Sequence, residues 1–290
     1  MKEGKKPSVK LVVFLGLLLW AIFCFFPIYW TIITSFKTPS EVYSSTPLFF
    51  PFIDFQPTLA SWMKIFGTGS NAAAGGNFLF IARNSLIAAS GGAVGAVLLG
   101  ASGAYALARF RYQKMSNQNI SFMMISQRML PPIALATPYF VLLSKLGMVD
   151  NLFTLMLVYA AMNAPLLVWM LKDFFAGIPV EIEESALIDG CSPMSVFWRI
   201  ALPLALPGIV VAFLFAFCFS WSEFLFALTL TLGNATTLPV QIAGNVSTST
   251  TGTAYWDLSA QAVVVLFVPL LIAILVNRNI VSGLTLGAVK

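Results

Sequence analysis

The chain reads as long apolar runs cut at intervals by charged residues. A charge-free apolar stretch of about 20 residues is long enough to cross the hydrocarbon core of a bilayer as a helix. Six stretches qualify, at about 11–36, 84–108, 120–144, 151–171, 202–232 and 258–277, and together they predict an all-α integral membrane protein with six transmembrane helices in one domain, 1–290. Two of these spans carry a charge in their interior: Arg128 in the third and Glu223 in the fifth. From Gly233 to Thr253 the chain is dense in Asn, Thr, Ser and Gly, which predicts a polar loop. The first apolar run follows Lys2, Lys5, Lys6 and Lys10 but is too long for a signal-peptide core, so it is expected to stay as an anchor.

Composition supports the membrane reading. Hydrophobic residues make up 59% of the chain and charged residues 9%, against roughly 25% charged in an ordinary soluble domain. Histidine is absent, which removes Ser-His-Asp and Cys-His catalysis and imidazole metal sites and weakens any reading as a membrane enzyme. Cys24, Cys191 and Cys218 have no pairing arithmetic and read as free thiols. The net charge of +5 is scattered between apolar runs, as membrane topology requires and nucleic-acid binding does not. With the N-terminus inside, eleven basic residues fall on the cytoplasmic side and four outside, leaving Arg128 apart. That bias predicts cytoplasmic N and C termini and places 37–77 and 233–253 outside.

Span 2 contains Gly91, Gly92, Gly95, Gly100 and Gly103, a small-residue pattern that lets helices approach closely and that tight packing explains better than a phosphate site. No P-loop motif occurs, so no nucleotide is expected to be bound by this chain.

Between spans 4 and 5, residues 178–203 combine acidic clustering with strong helix punctuation. Pro179 suits a first helical turn, Glu181, Glu183 and Glu184 suit the positive end of a helix dipole, and Gly190 suits a left-handed stop. Ser192 can cap a second helix with Pro193 in its first turn, before Leu202-Pro203 leads into span 5. The expected shape is helix, sharp turn, helix at the membrane face. Glu181, Glu183, Glu184 and Asp189 would be repelled by anionic headgroups and accepted by a basic socket, so a protein-docking element is expected rather than a lipid-resting connector.

These residues resemble the cytoplasmic signature of binding-protein-dependent ABC importer permeases: EAA, three residues, Gly, nine residues, Ile-x-Leu-Pro. Here it reads Glu184-Ser185-Ala186, Gly190 and Ile200-Ala201-Leu202-Pro203, with Ser185 in place of the usual Ala. The resemblance narrows to the carbohydrate branch, the shorter six-span permease of the maltose and glycerol-phosphate type. Phe36-Lys37-Thr38-Pro39 with Glu41, Asn84-Ser85, Met129-Leu130-Pro131-Pro132 and Trp221-Ser222-Glu223-Phe224 carry it, with Gly283 to Lys290 at the end. Ser222 stands where the family often has Asn.

The resemblance implies a bacterial inner-membrane permease that carries a sugar or related polyol by alternating access. Its implied partners are lipid, a second homologous permease, two ATPase subunits that use ATP and Mg, and an extracytoplasmic solute-binding protein. Glu184, Ser185, Ala186, Asp189, Gly190, Ile200, Leu202 and Pro203 become the ATPase-coupling residues, and Gly283–Lys290 is expected to contact the ATPase dimer. Charges inside spans normally face the bundle interior or water. Arg128 and Glu223 are therefore expected to point inward, where pairing with each other, closing the pathway and contacting solute are all open to them. Gln127, Tyr159, Asn163, Trp221 and Ser222 complete the candidate pathway. The rival reading, an ion-coupled secondary transporter, calls for embedded carboxylates, of which Glu223 is the one candidate.

Overall fold

A computed structural model of the chain describes residues 7–67, 72–247 and 253–286, with side chains over 11–67, 77–246 and 253–275. The described residues are helical, joined by turns and loops. They form two compact units, Met1–Leu79 with Ile242–Leu266 and Phe80–Gln241 with Phe267–Lys290.

The first unit holds α1 (Pro7–Thr34), α2 (Pro39–Val42) and α3 (Ala60–Phe66). The Leu11–Thr34 stretch carries no charge and leaves most of its length outside protein contact, with burial reached at Ile33 and Thr34. After it, the Lys37 side chain is 3% exposed: its Nζ donates to the Leu48 carbonyl at 2.7 Å and lies 4.3 Å from the Trp30 ring centroid and 5.1 Å from that of Phe55. Burial pulls its pKa below the usual lysine value, against the opposing charges of Glu41 and Asp54. Glu41 accepts from the Thr38 N–H at 2.7 Å, so the Phe36-Lys37-Thr38-Pro39 stretch with Glu41 is a capped turn.

The second unit is built on α4 (Ala72–Arg109) and α7 (Leu152–Ala176). A Cβ added at Gly92, Gly95, Gly100 or Gly103 would lie 2.6 Å from Tyr159 Cβ, 2.8 Å from Ala160 Cβ, 2.6 Å from Leu167 Cβ and 3.0 Å from Val168 Cγ2, and one at Gly91 would collide with Met156. The numbers rise together, so the two helices run parallel along a glycine seam. Side chains at those positions would hold the backbones apart.

α11 (Leu206–Trp221) packs on α7 in the opposite direction, with Gly208 against Phe174 and Ser220 hydrogen-bonded to Asn163. α12 (Leu225–Leu230) continues that course to the start of α7, where the Asp150 N–H donates to the Leu230 carbonyl at 2.8 Å. Leu155, Val158, Tyr159, Phe226 and Leu230 form the core between them.

Among the described residues, four helices are long and apolar enough to cross a membrane, Leu11–Thr34, Asn77–Arg109, Leu152–Ala176 and Tyr255–Leu275, and a bent pair can supply a fifth. The span expected at 84–108 is a longer helix, and Arg83 lies inside it rather than at its boundary. The expected span 120–144 is two helices, α5 (Asn117–Ser126) and α6 (Pro132–Lys145), separated by a 3-10 turn over Gln127–Met129 and an extended Leu130. Pro131 disfavours a helical backbone at Leu130, which explains the interruption.

The expected span 202–232 is likewise interrupted. The helical run Pro193–Leu204 meets α11 at 79° beside Ala205, where Pro207 has no N–H to continue the ladder. A second break at Ser222–Phe224 separates α11 from α12. The polar stretch 233–253, expected as a loop, contains helix α13 (Leu238–Ser247), begun by Pro239 in its first turn and by a wholly buried Leu238. The final helix, α14 (Tyr255–Leu286), runs past the expected 258–277, and the second half of the tail Gly283–Lys290, with all of its side chains, lies outside the described residues.

Candidate functional site

The loop leaving α7 forms α8 (Val180–Ile188), preceded by Pro179. It ends in a turn where the Gly190 N–H donates to the Leu187 carbonyl and the Cys191 N–H to the Ala186 carbonyl, at 3.1 and 3.0 Å. Those two bonds need a left-handed residue, and Gly190 has φ +89°. Ser192 then accepts from the Ser195 N–H and starts α9 (Pro193–Val196) with Pro193 in its first turn. A single π turn over Phe197–Ala201 joins it to α10 (Leu202–Leu204). Helix, turn and helix stand as the local chemistry predicts.

Glu181, Glu184, Ser185, Asp189, Gly190 and Pro203 are exposed, while Ala186, Ile200 and Leu202 are half-buried. Beside the acids, Ile188 is 86% exposed, and Leu187 and Met194 are exposed as well. A surface that mixes acids with large apolar side chains has the composition of a protein contact.

Glu183 departs from this pattern. It is 4% exposed and faces the end of α4, where its Oε1 accepts from Arg109 Nη2 at 2.7 Å and Nε at 3.0 Å, and its Oε2 from the Tyr105 hydroxyl at 2.8 Å. Arg109 also donates to the Ile178 carbonyl at 3.0 Å. The expectation that Glu183 meets an external socket is therefore corrected: burial needs an internal counter-charge, and losing one partner of such a pair costs about 3–5 kcal/mol.

The two interrupted stretches meet. Arg128, in the 3-10 turn between α5 and α6, donates to Asn163 Oδ1 at 3.1 Å and lies 4.8 Å from the Phe219 ring centroid on α11. The Asn163 amide donates in turn to the Tyr159 carbonyl at 2.9 Å and to Ser220 Oγ at 3.1 Å. Glu223 forms no ion pair with Arg128; its carboxylate accepts from the Phe226 and Ala227 N–H groups at 2.8 and 3.0 Å and so caps α12. The Tyr159 hydroxyl is buried within electrostatic reach of Glu223 but has no hydrogen bond of normal geometry. Trp221 is buried and stacked on Phe217 at 5.7 Å. Gln127 and Ser222 are exposed beside the breaks, and Arg128 and Glu223 are half-exposed. Thus Gln127, Arg128, Ser222 and Glu223 are accessible, whereas Tyr159, Asn163 and Trp221 are buried.

Asp150 was not singled out by the sequence. It sits at φ +58° just before α7, and its carboxylate accepts from the N–H groups of Leu232, Gly233, Asn234 and Ala235 and from the Asn234 side chain, at 2.9–3.2 Å. Partial burial alone would raise its pKa, but the four backbone N–H groups outweigh it and hold the carboxyl below the usual aspartate value. From α4, Asn84 donates to the Asn234 and Thr236 carbonyls and Ser85 Oγ accepts from the Leu238 N–H at 2.7 Å. The stretch after α12 is thus clasped from both helices of the glycine seam. Among the described residues no three His, Cys, Asp or Glu side chains converge as a metal site would require.

Comparison with known proteins shows the family. Residues 96–284 match the family model of the binding-protein-dependent transport system inner membrane component. The chain is 32% identical over 290 residues to the inner membrane ABC transporter permease protein YcjP of Escherichia coli (strain K12), covering 100% of both. It is 31% identical over 283 residues to the trehalose/maltose transport system permease protein MalG of Thermococcus litoralis, covering 97% of each. A chain from the crystal structure of a bacterial ABC transporter that imports the acidic polysaccharide alginate shares the fold, with a TM-score of 0.72 at 19% identity and coverage of 96% of this chain and 99% of that one. The chain accordingly belongs to the inner membrane components of binding-protein-dependent transport systems: it is a permease subunit of an ABC importer, and ATP hydrolysis lies on a separate subunit.

Proposed function

We propose that this permease carries a sugar or related polyol inward across the bacterial inner membrane by alternating access, with the loop 178–203 as its coupling element. In this reading it pairs with a second homologous permease, two ATPase subunits dock on the cytoplasmic side and use ATP and Mg, and an extracytoplasmic binding protein delivers the solute. Glu184, Ser185, Ala186, Asp189 and Gly190 form the docking surface, and Ile200, Leu202 and Pro203 join it to span 5. The sugar class rests on the carbohydrate-branch motifs and on the trehalose/maltose permease as a relative.

The observation that carries this reading is the direction of the helices. Because α4 and α7 run parallel, the chain must cross the membrane once between them, and α5 with α6 is the segment available for that crossing. Because α11 runs antiparallel to α7, α8 to α10 lie at the end where α4 also finishes. Counting α1, α11–α12 and α14 as one crossing each supports a reading with six crossings, and the excess of basic residues supports cytoplasmic N and C termini and a cytoplasmic coupling loop. The interrupted third and fifth spans would then bring Gln127, Arg128, Ser222 and Glu223 to the solute pathway, where irregular backbone is tolerated because it borders a cavity.

The complete complex in proteoliposomes, supplied with binding protein and labelled trehalose or maltose, tests the proposal. ATP-dependent accumulation is expected. Uptake abolished by an ionophore alone, with no ATP hydrolysed, would overturn it. Cysteine labelling at Glu184 in a background lacking Cys24, Cys191 and Cys218 tests the orientation, since reagent reaching it in intact cells would place the loop on the wrong side.

A further inference from the structure

The loop 178–203 is joined to α7 by a short turn, Gly177-Ile178-Pro179, that could bend under load. A coupling element attached in that way alone would yield when an ATPase pushed it. The structure supplies a polar attachment to α4, beside the ring contact of Phe197 with Phe175 of α7.

Arg109, the last residue of α4, holds both the entrance of the loop, at the Ile178 carbonyl, and the middle of α8, at Glu183. Both oxygens of Glu183 are occupied, one by two guanidinium nitrogens and the other by the Tyr105 hydroxyl. With three donors converging from α4, the carboxylate cannot turn without breaking a bond, and charge-assisted bonds of this kind are both directional and strong. The second arm of the loop reaches the same place. The Tyr105 ring lies 5.0 Å from Phe197, in the π turn, and 5.6 Å from Phe175, in the last turn of α7. One residue of α4 therefore touches α8 with its hydroxyl and the second arm with its ring. Beyond it, the glycine seam ties α4 to α7 from Gly91 to Gly103 with no room for a side chain.

We infer that Tyr105, Arg109 and Glu183 form a positioning lock that joins the loop 178–203 and α4 into a single lever, so that movement of the loop is delivered to α4 and through the glycine seam to α7. This rests on the docking role proposed for the loop. Arg109 and Glu183 need touch neither ATPase nor solute: they act by fixing the angle between α8 and α4.

A buried ion pair can also serve stability alone, and the two roles separate experimentally. Replacing both partners by apolar residues of similar volume is often neutral or favourable for folding, since no charge is left buried alone. Arg109→Met with Glu183→Leu keeps the packing and removes the directional bonds. Spin labels at Ser102→Cys and Glu181→Cys, both on exposed positions, report the spacing of α4 and α8 in the purified complex with its partner permease, ATPase subunits and binding protein. The background lacks the three native cysteines.

In the otherwise native protein, one narrow label distance is expected, unchanged between the nucleotide-free complex and the complex trapped with ATP and vanadate. In Glu183→Gln and in the apolar double variant, the distribution is expected to broaden and to shift on trapping. ATP hydrolysed per solute delivered should rise about tenfold, within the ordinary range of coupling energies. A double variant whose label distance stays narrow and fixed would reduce the pair to a stability element and overturn the inference. Failure of the docking role itself reads out differently, as ATPase subunits that do not copurify with the otherwise native labelled protein.

Discussion

The two ends of the α4–α7 pair are fastened in contrasting ways. At the starting end, Asp150 gathers four backbone N–H groups and a side-chain amide of the stretch that follows α12, and Asn84 and Ser85 add three more bonds from α4. At the far end a single buried ion pair, Arg109–Glu183 with Tyr105, holds the loop 178–203. The first fastening is spread over several neutral donors, so losing one bond leaves the rest. The second concentrates the connection in one place, so a change there acts on everything attached. A segment that must stay still suits the former, and one that must move as a unit suits the latter.

The largest effect is expected where the two ends are tied together. Gly100→Ile would drive a branched side chain into Leu167, whose Cβ already lies 2.6 Å from where a Cβ at position 100 would stand. Overpacking of this kind costs about 1–3 kcal/mol even where neighbours can yield, and here the contact includes helix backbone. The protein should disappear from the membrane fraction on immunoblotting; normal abundance would mean the ends are not rigidly joined.

Next comes Gly190→Val, which isolates the far end. Nothing lies within 4 Å of an added Cβ, so the damage is confined to a backbone at φ +89°, costing about 1–2 kcal/mol and more for a branched residue. Uptake should be lost while the permease stays at near-normal abundance, with ATPase subunits washing off during purification. Glu184→Lys should give the same result by reversing an exposed charge without touching the turn. Loss of Gly190→Val from the membrane would mean the turn serves folding instead.

At the starting end, Asp150→Ala should lower thermal stability by about 1–3 kcal/mol, since hydrogen bonds to a charged group are stronger than average but partial exposure weakens them. The pH dependence checks the cause. Because the folded carboxyl titrates below its ordinary value of 3.8, its contribution is complete above pH 3.8 and is lost as pH falls through the lower folded value. The stability gap between the native protein and Asp150→Asn should therefore be flat at neutral pH and close in strong acid. Smallest is Ser85→Ala, at about 1 kcal/mol by thermal melting, one bond among several. A collapse in Ser85→Ala as severe as that in Gly100→Ile would erase the contrast between the ends.

How much of this could be read from the sequence depended on range. The loop 178–203 was legible because Pro179, Gly190, Ser192 and Pro193 act on their own neighbours, and turn chemistry is local. Arg128 and Glu223 mark the two interrupted spans but not the breaks themselves: both stretches are apolar enough to pass as continuous, and Pro131 and Pro207 interrupt the helices without changing the hydropathy. Helix α13 was hidden by its polar residues. Asp150 and Glu183 could not be assigned their partners, which lie about 80 and 74 residues away in the chain and meet them through tertiary packing. Only the glycines of span 2 hinted at it, by requiring a close neighbour without saying which.

The corner beside Ala205 has a consequence for hydrogen–deuterium exchange. Pro203 and Pro207 carry no amide proton, so the 79° bend is bracketed by two silent positions. In the proposed topology, the amides of α9 and α10 on one side should exchange at rates set by opening of the loop in water, and those of α11 on the other should exchange only if water reaches the bilayer interior. Isotope uptake should therefore change abruptly at the corner, so that peptides ending near Ala205 separate the two regimes at a boundary written into the chain by its prolines.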